Sequence, residues 1–373
     1  MAYHDQAVGD TVQEPRYLQI YRHLLGQISS GAIKLGEQVP SEKEICRQFC
    51  VSRITGKKAL EMLAAGGYIE RQRGRGSFVV ETPASAEMRK KAASFRAIGF
   101  ILSTLDNFFG KRLLFSVQAA CDALGYHMVL RLTHELPAEE EKALRSLDNE
   151  NICGILMIPT QREHYNTEIL NQVLKKRPLV FVDRKMWGLP VPSVTTDNVA
   201  AAEMAVQTLL EKGHRNIAFY SGPMAHASTL KDRHSGFTKA FAGTGFSLAG
   251  NHLCDTLHTD DDLQIILRHL QGNPQITAAL ATEFTIAMII KKALAILGRR
   301  LSGELANSGN GDFVLVTFDC PEHGGEFAGF NCLRQNEEDM GRQAMEILHT
   351  IIEGSYDGTV MDTLIPAKLV ACK

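Results

Sequence analysis

The chain of 373 residues has no cysteine pair at C-x-x-C spacing and no apolar run near the roughly 18–20 residues that span a bilayer. Its eight cysteines, at 46, 50, 121, 153, 254, 320, 332 and 372, are scattered. Structural zinc needs closely spaced ligand pairs, and disulfide frameworks belong to short secreted chains. The cysteines therefore read as buried thiols of a cytoplasmic protein. Residues 1–14 are polar and acidic, without the basic-then-apolar layout of a secretory leader. A phosphate-cradling loop is missing too, since Gly56-Lys57-Lys58 lacks both the upstream glycine and the following Ser or Thr of a P-loop. There is no G-x-S-x-G elbow. His252 and His258 are six apart, the wrong spacing for two metal ligands on one helical face, and read as ordinary surface histidines. The sequence predicts no catalytic residue, no cofactor, no metal and no membrane partner.

An excess of one charge is also lacking, the formal net being −2, yet the charge is unevenly placed. Between Pro15 and Val80 there are 11 Lys and Arg against 5 Glu, residues 81–96 add +2, and residues 97–373 carry −7. A small basic head on a large acidic body is the asymmetry of a nucleic-acid-binding domain joined to something else. In the head, Tyr17, Ile20, Tyr21, Leu24, Leu25 and Ile28 recur at helical spacing until Gly31 stops them. Ser41 and Glu44 form a capping box that opens a helix over 42–49. After the turn at Cys50-Val51, Ser52 caps a third helix carrying Ile54, Ala59, Leu60 and Leu63, which Gly66-Gly67 ends. Two short strands, 68–72 and 77–80, flank Arg73-Gly74-Arg75-Gly76. Three helices and a glycine-turned hairpin make a winged helix-turn-helix over residues 15–80.

A recognition helix sets its N-terminal turn against the duplex, where arginine can donate two hydrogen bonds to guanine and the helix dipole favours phosphate. Ser52, Arg53, Thr55 and Lys57 occupy that turn and the positions just beyond. Arg73 and Arg75 beside Gly74 place two cations where a wing meets the minor groove or the phosphates. The stretch VPSEKEICRQFCVSRITGKKALEMLAAGGYIERQRGRGSFVV closely resembles the winged helix of the GntR family. The resemblance implies DNA contacts from Lys43, Ser52, Arg53, Thr55, Lys57 and Gly74. Two departures stand out. Lys43 and Lys57 replace common arginines, trading a bidentate contact for a point charge. Gly56 replaces a β-branched residue inside the helix, at a cost of about 1 kcal/mol.

Residues 81–96 mix Pro, Ala, Ser and charge with little periodicity and read as a linker. From residue 97 onward, apolar runs (AIGFIL, HMVLRL, GILMI, LVFVD, NIAFYSG, AALAT, FVLVTFD) alternate with helical patterns. That is the signature of parallel sheets with crossover helices, and the run is long enough for two lobes. The second lobe takes strands near 217–220, 278–281 and 313–318. Ligands bind such lobes at the C-terminal ends of the strands. There the sequence sets Asn107-Phe108-Phe109, Asp183-Arg184, Asp232-Arg233 opening a helix, and Asp319. Charged donors and acceptors suit hydroxyl groups, and aromatic faces suit a sugar's C–H surface. Trp187 follows in the loop after Arg184, more readily packing between lobes than lidding the cleft.

The segments STLDNFF, PLVFVDR, PSVTTDNVAAAEMAV, EKGHRNIAFYSGP, KDRHSGFTKAF, VLVTFD and RQNEEDMGRQAMEIL resemble the effector domain of LacI/GalR regulators and periplasmic sugar-binding proteins over about 97–371. By position, that resemblance implies a sugar held by Asn107, Phe108, Phe109, Asp183, Arg184, Arg233, Asp319 and Gln335. Thr282-Glu283 stands where the family has Asn-Asp, and 299–311 reads as a lengthened surface loop. A GntR-type head on a LacI-type body is similar to the arabinose-responsive repressors. The expected architecture is α/β: a winged helix at 15–80, a linker at 81–96, and a two-lobe, periplasmic-binding-protein-like body with parallel sheets at 97–373. The body is expected to sense a small sugar and to form a homodimer on a palindromic DNA operator. Release of the operator by sugar is the first expectation. Corepression or activation, and a carbohydrate-active enzyme as a distant class, are the alternatives.

Overall fold

The computed structural model describes residues 15–80, 96–148, 151–161, 166–242, 244–245, 253–305, 312–319, 329–359 and 361–371. The linker reading over 81–95 lies outside the described residues, as do His252 and the 306–311 part of the surface-loop reading. The chain divides into two units, residues 1–94 and 95–373.

The first unit holds helices α1 (Arg16–Ser29), α2 (Glu42–Phe49) and α3 (Arg53–Ala65), then the antiparallel strands β1 (Ile69–Gln72) and β2 (Gly76–Val79). Ser41 and Glu44 make both hydrogen bonds of the capping box, and Ser52 Oγ accepts the Thr55 N–H. Ile20, Leu24, Val39, Ile45, Leu60, Leu63, Ile69 and Val79 form the core. Gly56 is explained by packing: a Cβ there would lie 3.2 Å from Ile45 and 3.6 Å from Cys46. The glycine lets α2 seat closely on α3, which offsets its poor helix propensity. Ile54 does not join the core positions with which its spacing groups it. It is 80% exposed.

The second unit contains two sheets. The first, all parallel, has the order β14-β7-β6-β5-β3-β4, from β3 (Ala97–Leu102), β4 (His127–Leu132), β5 (Ile152–Met157), β6 (Leu179–Val182), β7 (Ser193–Thr196) and β14 (Asp362–Ile365). Helices α4 (Phe108–Leu124), α5 (Pro137–Asp148) and α6 (Thr167–Leu174) belong to this lobe. The second sheet runs β15-β13-β12-β10-β8-β9 with β11 beside β12, and only β15 is antiparallel. Its strands are β8 (Ile217–Tyr220), β9 (Leu253–Cys254), β10 (Ala278–Ala281), β11 (Leu301–Ser302), β12 (Phe313–Phe318), β13 (Asn331–Arg334) and β15 (Lys368–Ala371). Helices α7 (Asn198–Glu211), α8 (Ser228–Lys239), α9 (Asp262–Gly272) and α10 (Phe284–Ile296) cover its two faces. Helix α11 (Glu337–Ile352) returns to pack on α4 in the first lobe.

Central strands buried on both faces read as unbroken apolar runs, which is why AIGFIL and FVLVTF stand out in the sequence. Three crossings join the lobes, at 196–198, 334–337 and 365–368. In both sheets the strand order reverses, at β3 and at β8, and crevices for ligands form outside such switch points.

The structure corrects several readings. Arg233 sits inside α8, which begins at Ser228, instead of opening a helix at Asp232. Leu301–Ser302, read as loop, pairs with β12. Cys50 is exposed and Cys332 is disulfide-bonded, so neither is a buried thiol. Trp187 is not enclosed between the lobes. It is 63% exposed, with the Lys185 ammonium 4.4 Å from its ring centre.

Candidate functional site

In the first unit, Ser52 Oγ accepts the Thr55 N–H at 3.3 Å and lies 2.9 Å from the Thr55 hydroxyl, so both hydroxyls fix the start of α3. The Arg53 side chain is 86% exposed, with its Nε 3.4 Å from Glu42. Glu42 also accepts from Arg71 Nη2 at 2.7 Å. Those two hydrogen bonds overcome desolvation and hold its carboxyl below the usual range. One carboxylate thus ties α2 to α3 and to the first wing strand. Glu42 and Arg71 lie 29 residues apart, so no local sequence pattern points to the pair. Lys57 lies 3.6 Å from Glu61, one turn on. Lys43, Arg73, Gly74 and Arg75 are all exposed. Gly74 has φ +77° and Gly76 φ +124°. Gln38 donates to the Arg75 carbonyl at 3.2 Å, and a Cβ on Gly76 would collide with it, so the wing turn needs both glycines.

In the second unit, the C-terminal strand ends of both lobes gather a charged group. From the first lobe come Glu135, after β4, and Asp183-Arg184, after β6. Arg184 donates to both Glu135 oxygens, at 2.9 and 2.8 Å, and to the Pro159 carbonyl at 3.2 Å. From the second lobe come Arg233 of α8, Thr282-Glu283 after β10 and Asp319 after β12. Arg233 is 4% exposed. Its Nε donates to Asn198 at 2.8 Å, its Nη1 to the Thr282 carbonyl at 2.6 Å, and its guanidinium stacks 3.7 Å from the Phe318 ring centre. Asp319 accepts from Gln335 at 2.8 Å, and Gln335 accepts from the Thr196 hydroxyl. His258 Nε2 lies 3.2 Å from Glu283.

These groups feel one another across the cleft. Burial pushes the Asp183 carboxyl up to about 6, against the pull of Arg184 and Arg233. Burial likewise raises Asp319, although Arg233 and Gln335 oppose it. At Glu283, burial is outweighed by His258, Arg233 and Arg184, so its carboxyl is held low. The His258 imidazole is raised by its hydrogen bond to Glu283. Beside them, burial lifts Glu337, the first residue of α11, to about 7 despite Arg112. Backbone strain marks the same place. Glu135, Asp183, His258 and Asp319 all have φ between +58° and +83° without being glycine. Outliers of that kind persist where surrounding structure enforces them, and they cluster at ligand sites.

Asp183, Arg184, Arg233, Asp319 and Gln335 therefore converge. The aromatic pair does not act as a pair: Phe109 is 7% exposed and packs in the first-lobe core, while Phe108 is 41% exposed. Asn107 caps α4 by accepting the Gly110 N–H at 2.7 Å. No local pattern points to Glu135 or Asn198; Glu283 stands where the resembled family has Asp, and His258, exposed as its reading as a surface histidine expects, pairs with it. Two buried polar atoms here have no hydrogen-bond partner among the described residues, Arg184 Nε and Thr282 Oγ1. Among the described residues, no group of three His, Cys, Asp or Glu side chains could hold a metal ion. No helix among them is long and apolar enough to cross a membrane.

Residues 96–372 match the family described as periplasmic binding proteins and sugar binding domain of LacI family. The chain belongs to that family. Residues 16–79 match the bacterial regulatory proteins of the gntR family, so this is a GntR–LacI regulator. It is 23% identical to the arabinose metabolism transcriptional repressor of Geobacillus stearothermophilus, over 95% of this chain and 96% of that one. It is 25% identical to the transcriptional regulator KdgR of Bacillus subtilis, over 78% and 84% respectively. Among solved structures, the fold matches the lac repressor dimer bound to operator with TM-score 0.63 at 17% identity, covering 78% of this chain and 97% of that one. It also matches a LacI-type regulator of Alkaliphilus metalliredigens complexed with D-xylulofuranose, with TM-score 0.60 at 19% identity, covering 74% and 97%.

Proposed function

We propose that this GntR–LacI regulator is a repressor that binds a palindromic operator as a homodimer and is released by an uncharged sugar held between the lobes of its body. One observation carries the reading: the ligand-facing groups are hydrogen-bonded to the lobe crossings. Arg233 holds Asn198 at the first crossing, and Asp319 holds Gln335 at the second, which in turn reaches Thr196. A ligand that recruits Arg233 and Asp319 therefore changes the bonds that set the angle between lobes. To move the operator equilibrium, it must bind one lobe arrangement better than the other, since affinity alone shifts nothing.

The charge of the cleft supports an uncharged ligand. Among the described residues, the carboxylates of Glu135, Asp183, Glu283 and Asp319 face the guanidiniums of Arg184 and Arg233, both already committed. A phosphate or a sugar acid would meet no surplus of positive charge, since Arg112 and His258 are likewise paired, with Glu337 and Glu283. Sugar hydroxyls can donate to Asp183 and Asp319, and they supply acceptors for Arg184 Nε and Thr282 Oγ1. Leaving such buried groups unmet costs about 1–3 kcal/mol each. Phe108 offers its exposed ring to a C–H face.

In the DNA-facing role, Arg53 reads a base edge while Lys43, Ser52, Thr55, Lys57, Arg73, Gly74 and Arg75 hold the backbone. A thermal-shift screen of neutral pentoses and hexoses against sugar phosphates and sugar acids tests the ligand class. A neutral sugar at 100 times its Kd stabilises the body by about 2.7 kcal/mol, a shift of a few degrees. A response to phosphates alone would overturn the charge reading. A flat screen with operator binding intact would overturn the sugar itself.

A further inference from the structure

We propose that Ile54 reads the C5-methyl group of a thymine in the major groove of the operator, an inference that rests on the DNA-binding reading above. Ile54 is the second residue of α3, and its side chain is 80% exposed. The helix buries Gly56, Ala59, Leu60 and Leu63. Ile54 shares the opposite face, one turn from the exposed Lys57 and Lys58. A branched apolar side chain is thus presented to water from a row of cations, on the turn that a recognition helix sets against the duplex.

The side chain can neither neutralise a phosphate nor exchange a hydrogen bond with a base edge. Of the four bases, only thymine offers an apolar group in the major groove. The neighbouring contact fits this pairing. Glu42 engages Arg53 Nε, leaving the two terminal nitrogens for a guanine edge. Arg53 and Ile54 open the same helical turn, so the thymine lies near the guanine that Arg53 reads.

The test selects operators from a random duplex library with the full chain, then replaces each thymine of the enriched site by deoxyuridine, which lacks only the methyl. In each half-site, one thymine near a required G·C pair should weaken binding about fourfold on replacement, the equivalent of roughly 0.8 kcal/mol for one buried CH2-sized group. Ile54→Ser should lose a similar factor on the thymine site and become indifferent to the replacement. Ile54→Val should keep the preference. Since Ile54 lies outside the core, all three proteins should melt alike. Indifference of the unaltered protein to every replacement would overturn the role of Ile54 alone, as would an undiminished penalty in Ile54→Ser. Failure to enrich any duplex would overturn the DNA-binding reading and this inference with it.

Discussion

The cations of the small unit and those of the large unit meet opposite demands. Arg53, Lys57, Arg73 and Arg75 stand in solvent, and where they pair they pair loosely. A phosphate backbone rewards charges that displace counter-ions, and exposed cations do this without paying for burial. Arg184 and Arg233 are instead enclosed, each with several fixed partners. An uncharged ligand rewards donors and acceptors set in place before it arrives. The same residue type is a detachable tool in one unit and part of the frame in the other. Consequences of removing it should differ accordingly.

The sharpest contrast is in stability. Arg233→Ala removes a buried guanidinium and leaves Asp319 and Asp183 enclosed without it. It should destabilise the body by roughly 3–5 kcal/mol, read as an early calorimetric transition. An unchanged melting curve would break the comparison at its strongest point. Arg53→Ala should lower operator affinity by a factor of about 10–100, the worth of one arginine–guanine pair, with the body's melting unmoved. A melting shift there would show that the head's cations are also part of a frame.

A smaller effect separates the units by pH. Asp183 at about 6 and Glu337 at about 7 hold their protons more tightly when folded than the unfolded chain does. Their contribution to stability is therefore fully present below about pH 4, the range of unfolded carboxyls, and is lost as pH rises through 6 and 7. The ligand-free body should melt higher at pH 5.5 than at pH 7.5, while sugar affinity weakens as Asp183 gains its proton. A melting curve that falls steadily on acidification over that range would contradict the assignment.

Much of this architecture was legible in the sequence where local chemistry decides it. The capping box at Ser41 and Glu44 specifies α2 to the residue, and the central strands betray themselves as unbroken apolar runs. The strands Ser193–Thr196, Asn331–Arg334, Asp362–Ile365 and Lys368–Ala371 were not legible, because each is four residues of mixed polarity given meaning by its neighbours. Phe108 and Phe109 look equivalent in a list. Successive helical residues differ by ~100° in direction, so only one of them can face the core. Spacing alone groups Ile54 with the core, although its neighbours Arg53, Lys57 and Lys58 mark an outward face.

The cleft divides in the same way. Asp183, Arg184 and Asp319 follow strands directly, so a strand's end announces them. Glu135 lies 49 residues before the Arg184 it holds, and His258 meets Glu283 only because β9 and β10 flank β8 in one sheet. Parallel register, not sequence proximity, assembles those pairs. Asn198 is a further case, the first residue of α7 and the partner of Arg233, 35 residues away.

The most direct measurement is operator affinity of the full chain, by fluorescence anisotropy on its selected duplex, with and without the sugar found by the screen. It should be repeated for Asp319→Ala. The sugar should release the duplex from the unaltered protein and leave it bound to Asp319→Ala. Equal release from both proteins would place the sugar away from Asp319 and contradict a cleft wired to the lobe crossings.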